Sequence, residues 1–330
     1  MFTAIFSKSN HADAKKAFQY LTFLSGDLMF PPLIEKVNLS LESLVEPHRY
    51  TSILSCLVSV ARELATFNPN NLVQTQIHVI PLLCAVLPGL DPNDSHKCIL
   101  TMQFISNLLS CLIVCDCSAA PNYRNDLSDL EKELCYETSK FEDFIHEFFS
   151  RIFRIIDNLA SDTSSDSSAS AAAASTYFAV NGRVKNTDEN AYQAQMIQTI
   201  RVLIRQSSKP ILKLILNKFK NSINGNTYNV RSGRIVASIC GFLAVSGIGR
   251  ECFETFFNYL YDNLSKLRES KNYEQFLKDE RGDIEVAWNL QLLAELMKAN
   301  GLILVDHIQR INLLISWFRS TVNKGSYFYW

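Results

Sequence analysis

A chain of 330 residues is long enough for one large domain, two ordinary ones or a run of stacked repeats. Its 47% hydrophobic content, with only 11 Gly and 9 Pro, suits a well-packed and mostly helical protein. The formal charge of -1 gives no global basic signal for direct binding of nucleic acid or an anionic membrane. The most apolar runs, such as Val79 to Leu90, are short and broken by proline, so none spans a bilayer. No cationic stretch with an apolar core behind it opens the sequence, so no secretory leader is expected. The nine cysteines then read as reduced, mostly buried thiols in the cytosol or nucleus.

Asp13 to Leu28 has helical spacing through Ala17, Tyr20, Leu21 and Leu24. Pro31 and Pro32 predict an extended break, since proline cannot donate its amide and disfavours helix before it. The helix restarted there carries Leu33, Val37, Leu41 and Leu44. Glu46-Pro-His-Arg49 opens the next, with Ile53, Leu57, Val60 and Leu64 on one stripe. Asn68-Pro-Asn-Asn71 reads as a turn, and the helix after it runs through Ile77, Ile80 and Leu83 into a tight corner. Pro88 and Gly89 are expected to stop that helix, the glycine as a left-handed C-cap. Asp91 is the expected N-cap of the next, with Pro92 at its first position and Asp94 favouring its dipole. Beyond the corner Cys98, Met102, Ile105 and Leu109 share a face.

A polar loop, Ser118 to Leu127, precedes Ser128 and Glu131, which have capping-box spacing. One long helix is predicted from there, with Leu130, Leu134, Phe141, Phe144, Phe148, Ile152, Ile155 and Leu159 on its apolar face. The composition then turns to Ser, Ala and Asp, and 160–189 reads as a flexible insertion. Helices resume at Ala191 to Gln206, Lys209 to Ser222, Val230 to Val245 and Glu251 to Leu267. A charged loop through Asp279 to Asp283 introduces Ile284 to Ala299, which Asn300-Gly301 ends, and Ile303 to Val322 forms the last helix. No segment alternates with period two for long enough to make a sheet.

Helices in antiparallel pairs, joined by short loops and repeating at about 40–50 residues, give an all-α expectation: an α-solenoid of degenerate HEAT-like helix pairs. Residues 1–159 and 190–330 form its two helical stretches, on either side of the 160–189 insertion. Phe2, Ile5 and Phe6 at one end and Tyr327 to Trp330 at the other are apolar, so the array is expected to continue beyond both ends.

Chemistry-bearing groups are sparse. Cys111, Cys115 and Cys117 are close in sequence, but zinc wants four ligands in paired spacings and no partner pair follows. They read as buried thiols at a helix end. His48, with Glu46 beside it, lacks any nucleophile motif and reads as a capping or packing histidine. Glu142 and Asp143 read as a solvated helix face, and Phe148, Phe149 and Phe153 as core. No phosphate-loop, dinucleotide, nucleophile-elbow or zinc-protease motif occurs, so neither catalytic residues, a required cofactor nor a metal site is expected. The densest positive charge lies at Arg201, Arg205, Lys209, Lys213, Lys218 and Lys220. Such groups are usually the wet face of a helix pair; Arg201, Arg205 and Lys209 are retained as candidates for a polyanion such as an inositol phosphate.

The strings Glu46-Pro-His48, Leu54-Ser-Cys56, Leu87-Pro-Gly-Leu-Asp-Pro-Asn-Asp94 and Lys97-Cys98 resemble the giant single-chain proteasome activators, the subunit 4 family. Arg124-Asn-Asp-Leu127, Glu133-Leu-Cys135, Phe141-Glu-Asp-Phe144 and Trp288-Asn-Leu-Gln-Leu-Leu293 continue the resemblance in the same order. It covers nearly the whole chain, departs at the Ser/Ala-rich insertion, and matches an interior portion of a longer family chain. The resemblance implies a HEAT-like solenoid that caps the α ring of the 20S proteasome and opens its gate. It implies ATP- and ubiquitin-independent degradation of peptides and acetylated histones, with roles in DNA repair and spermatogenesis, in nucleus and cytoplasm. It also implies inositol phosphate binding, though no basic residue here is matched to that site. The activator itself would cleave nothing. Phe328-Tyr329-Trp330 fits the hydrophobic-Tyr-any pattern of activator C-termini, but the family chain continues past this point, so Tyr329 is given no docking role. The competing expectation is a generic HEAT scaffold or transport adaptor that holds protein partners on its concave face. An enzyme built around Cys111 to Cys117 would need bound metal or thiol reactivity.

Overall fold

The computed structural model describes residues 2–7, 9–42, 47–66, 76–161, 187–226, 228–269, 280–298 and 301–323. These residues form helices joined by turns, with one isolated backbone bridge and no strand among them. The turn expected at 68–71, most of the 160–189 insertion, Glu46, Asp279, Asn300 and the 327–330 end lie outside the described residues. The chain divides into two compact units, residues 1–152 with 191–211, and residues 153–190 with 212–330.

The first unit contains α1 (Phe2–Ile5), α2 (His11–Leu24), α3 (Gly26–Glu42), α4 (Pro47–Ala65), α5 (Val79–Val86), α6 (Ser95–Leu109) and α7 (Asp129–Glu137). Most of α8 (Phe141–Ser161) and of α9 (Thr187–Gln206) also belongs to it. Helix α2 packs on α3 and α4, α3 on α4 and α5, and α4 on α6. Helices α2, α3 and α4 therefore each meet a sequence neighbour and a helix two places along, as stacked helix pairs do. The predicted stripes supply the core: Ile53, Leu57, Val60 and Leu64 of α4 and Cys98, Met102, Ile105 and Leu109 of α6 are all buried.

Three expectations in this unit are corrected. Pro31 and Pro32 lie inside α3, not in a break. The chain leaves helical geometry earlier, at Ser25 (φ -149°, ψ 66°), whose N–H donates to Leu21 O. Burial of Phe30, Leu33, Ile34 and Val37 offsets the ladder bonds that the prolines cannot make. At the corner, α5 runs into a 3-10 turn, Leu87–Gly89, and α6 starts at Ser95 rather than Pro92. The N-cap is Asp94, whose Oδ1 accepts from Lys97 N at 3.0 Å, while Asp91 accepts from Asn93 N at 3.0 Å in a local turn. Loss of an N-cap costs about 1 kcal/mol. Asp94→Ala is therefore expected to lower the urea midpoint clearly more than Asp91→Ala, and the reverse order would return the cap to Asp91.

The third concerns the single long helix expected after Ser128. The capping box is present, with Ser128 N donating to Glu131 Oε2 at 2.8 Å and Glu131 N to Ser128 Oγ at 3.3 Å. Yet the helix tightens to a 3-10 turn at Thr138–Lys140, separating α7 from α8. Thr138 Oγ1 accepts the Cys117 amide at 2.8 Å there, so the preceding loop is tied to the junction. Only α8 is strongly buried, through Phe144, Ile145, Phe148, Phe149 and Ile152, while Leu130 on α7 is exposed. Phe148 stacks with Phe144 at 5.8 Å and meets Phe149 edge-on at 5.2 Å.

The second unit contains α10 (Lys209–Gly225) from Leu212 onward, α11 (Val230–Ala244), α12 (Gly249–Glu269), α13 (Glu280–Leu296), α14 (Gly301–Asp306) and α15 (Ile308–Asn323). Asn229 caps α11, its Oδ1 accepting from Arg231 N at 3.1 Å and Ser232 N at 2.9 Å. Helix α11 packs on its neighbour α12 and on the next-but-one helix α13, while α12 packs on α13 and, three places along, on α15. Gly301 begins a short helix rather than ending α13, and a turn at His307 divides the predicted last helix into α14 and α15. His307 lies against Phe253 at 5.3 Å and Phe257 at 5.1 Å, which fixes the turn over α12. Trp288 is 1% exposed, with its ring 5.0 Å from Tyr228 and the Cα of Gly233 facing it.

Candidate functional site

The distinctive corner string turns out to be a bracket. Gly89 is buried and its φ is not in the left-handed region, so it is not the expected left-handed cap. Close approach is what demands glycine: a Cβ there would collide with Thr101 Oγ1 and lie 2.8 Å from the Tyr50 hydroxyl. Tyr50 OH donates to Val86 O at 3.2 Å, and Lys97 Nζ sits 4.7 Å over the Tyr50 ring. Burial pushes the Tyr50 hydroxyl pKa up, which keeps it a neutral donor. The corner is thus clamped onto α4.

From that bracket α6 extends along α9, and a polar seam joins the two. Cys98 Sγ donates to Tyr192 OH at 3.5 Å, Gln195 Nε2 to Ser106 Oγ at 3.4 Å, and Thr199 Oγ1 to Met102 O at 3.1 Å. Gln206 Nε2 reaches Ser110 O at 3.4 Å, and Val114 exchanges two backbone bonds of 2.9 Å with Gln206 and Ser208. At the solvent edge of this seam lies an open groove of about 470 Å³. It is lined by Val58 of α4, Gln103, Ser106, Asn107 and Ser110 of α6 and the turn after it, and Gln195, Gln198 and Val202 of α9. Sequence reading missed it; the only available signal was an uncharged polar face opposite the apolar stripe of α6.

Arg201, Arg205 and Lys209 are exposed in the first unit, as a wet helix face requires. Lys213, Lys218 and Lys220 fall in the second unit, where Lys213 pairs with Glu251 at 3.4 Å. Glu142 and Asp143 are exposed on α8, and Phe148 and Phe149 are core. His48 is exposed, so it is not a packing residue.

The cysteine cluster departs from the buried-thiol expectation: Cys111 is exposed and Cys115 and Cys117 are half-buried, with their Sγ atoms 3.3 Å apart. They sit in the loop pinned by Val114, outside any helix, so no apolar face covers them. Among the described residues no three His, Cys, Asp or Glu side chains converge as metal ligands. Partial burial, with the Cys117 thiol close by, pushes the Cys115 thiol up to about 11. Because the thiolate is the nucleophile, roughly one Cys115 in a thousand is reactive at pH 8. Iodoacetamide labelling of Cys115, followed by peptide mass mapping, should rise about tenfold per pH unit up to that value. A midpoint near the ordinary thiol value would contradict it.

No helix among the described residues is long and apolar enough to cross a membrane. Helices packed on their neighbours and next-but-one helices, with no strand among the described residues, define an α-solenoid of HEAT type. The family model for the mid HEAT repeats region of proteasome activator complex subunit 4 matches residues 1–328, and the chain belongs to that family. It is 34% identical over 299 residues to proteasome activator complex subunit 4 of Xenopus laevis, covering 90% of this chain and 15% of the relative. The Homo sapiens protein of the same name is 32% identical over 324 residues, covering 98% and 17% respectively. Subunit 4B of Danio rerio is 33% identical over 299 residues, covering 90% and 16%. The chain therefore spans 15–17% of the length of these curated relatives.

Proposed function

We propose that this chain is a dome-forming segment of a proteasome activator, a regulatory protein that caps the α ring of the 20S proteasome and opens its gate. The observation that carries this reading is the match of residues 1–328 to the mid HEAT region of a family named as proteasome activators. In this reading the polypeptide cleaves nothing; it promotes ATP- and ubiquitin-independent degradation of peptides and acetylated histones by the proteasome's own sites. DNA repair and spermatogenesis are the settings, in nucleus and cytoplasm. Inositol phosphates are proposed as ligands, with the exposed side chains of Arg201, Arg205 and Lys209 as the cations that would hold one. Neutralising those three together and finding unchanged inositol hexakisphosphate binding would discard that assignment.

The test is capture of the native polypeptide with an antibody against residues 288–302, followed by mass analysis of what accompanies it. Recovery of 20S subunits supports the activator reading. Their absence, with transport cargo in their place, would favour a generic HEAT adaptor.

A further inference from the structure

From the groove between α4, α6 and α9 we infer a binding site for an extended polypeptide segment, recognised through its backbone rather than its charge. The lining is the first argument. Six of its eight residues are Gln, Asn or Ser and none is charged, so neither a phosphate chain nor a carboxylate finds a counter-ion within it. With only Val58 and Val202 apolar, it offers no floor for a lipid or an aromatic ligand. A side-chain amide carries both donors and an acceptor, and so pairs with both halves of a peptide unit.

Spacing is the second argument. Gln103 and Asn107 stand one helical turn apart on α6, about 6 Å along the axis. In an extended peptide the groups facing one side repeat every two residues, about 6.6 Å. The two walls, from position 103 to 110 and from 195 to 202, each advance about 10 Å at the helical rise. Three residues of extended chain cover the same distance. The third argument is availability. Asn107 Nδ2 only grazes Val58 O at 3.5 Å, and Gln195 Nε2 is shared between Ser106 and Thr199 at 3.4 Å each. The side-chain amides of Gln103 and Gln198 make no hydrogen bond to any described residue.

Backbone recognition makes the site tolerant of sequence. The inference does not depend on the proteasome reading, because its test contains no proteasome. A capped, uncharged hexapeptide with a fluorescent label is titrated with the protein and followed by polarisation. The same peptide with alternate backbone nitrogens methylated is the control. We expect saturable binding, a loss of at least tenfold on methylation, a similar loss for Gln103→Leu combined with Gln198→Leu, and little dependence on salt. Both glutamines reach solvent, and circular dichroism of the double variant checks that its helices are kept. No saturable binding at millimolar protein, or equal affinity for the methylated peptide, would overturn the inference. So would binding that salt abolishes, since the uncharged peptide would then be held through the charge of its label and not through its backbone.

Discussion

Trp288→Ala is expected to destabilise the chain by about 3–5 kcal/mol, the range for deleting a fully buried aromatic side chain. The indole fills the α11–α13 interface, where Tyr228 meets its edge and Gly233 leaves the space it occupies. Tyr228 is itself held by a 2.6 Å bond between its hydroxyl and Ser222 Oγ, so it cannot readily swing into the cavity. Trp288 Nε1 finds no hydrogen-bond partner among the described residues, and neither do Asn289 Oδ1 and Gln291 Oε1 nearby in sequence. Packing, not polar bonding, is therefore what the indole contributes. Trp288→Phe, which keeps a ring in the same space, should cost less than half as much. Denaturant unfolding of the two variants checks this, and an equal loss for both would show that the indole nitrogen matters after all.

Gly89→Ala is the second large effect, at the upper end of the 1–3 kcal/mol that overpacking costs. The added methyl meets Thr101 Oγ1 and the Tyr50 hydroxyl, and neither is a flexible chain end. Thr101 is fully buried and its Oγ1 donates to Lys97 O at 2.9 Å; its Cβ lies 3.2 Å from the new methyl, so rotating the hydroxyl away gives little relief. Tyr50 is held by its bond to Val86 O. Combining Gly89→Ala with Thr101→Ala removes the closest atom, so the double variant should lose less than the sum of the single losses. Strict additivity would mean that the corner relaxes instead of clashing.

The parts of this fold that could be read from the sequence are those decided within one helical turn or along one face. The α4 and α6 stripes and the Ser128–Glu131 capping box depend only on spacings of three and four residues. The corner was harder, because Asp91 and Asp94 are both good caps and each is followed by residues that can start a helix. What selects Asp94 is the 3-10 turn at Leu87–Gly89 and the clamp from Tyr50, a residue far back on α4. Pro31 and Pro32 misled for a similar reason: their local preference is overridden by the buried face of α3. The groove was invisible because its walls come from positions 58, 103–110 and 195–202, and nothing local says which polar faces stacking will bring together. Family membership was legible in strings such as Leu87 to Asp94 and Trp288 to Leu293, which the structure shows to be packing motifs rather than chemistry.

The most direct measurement is hydrolysis of a fluorogenic peptide by purified 20S proteasome, without ATP, as the native polypeptide carrying this sequence is added. The activator account predicts a saturable, several-fold rise in rate that disappears when the polypeptide is depleted with the 288–302 antibody. A rate that stays at the level of the proteasome alone, at polypeptide concentrations well above that of the particle, would contradict it.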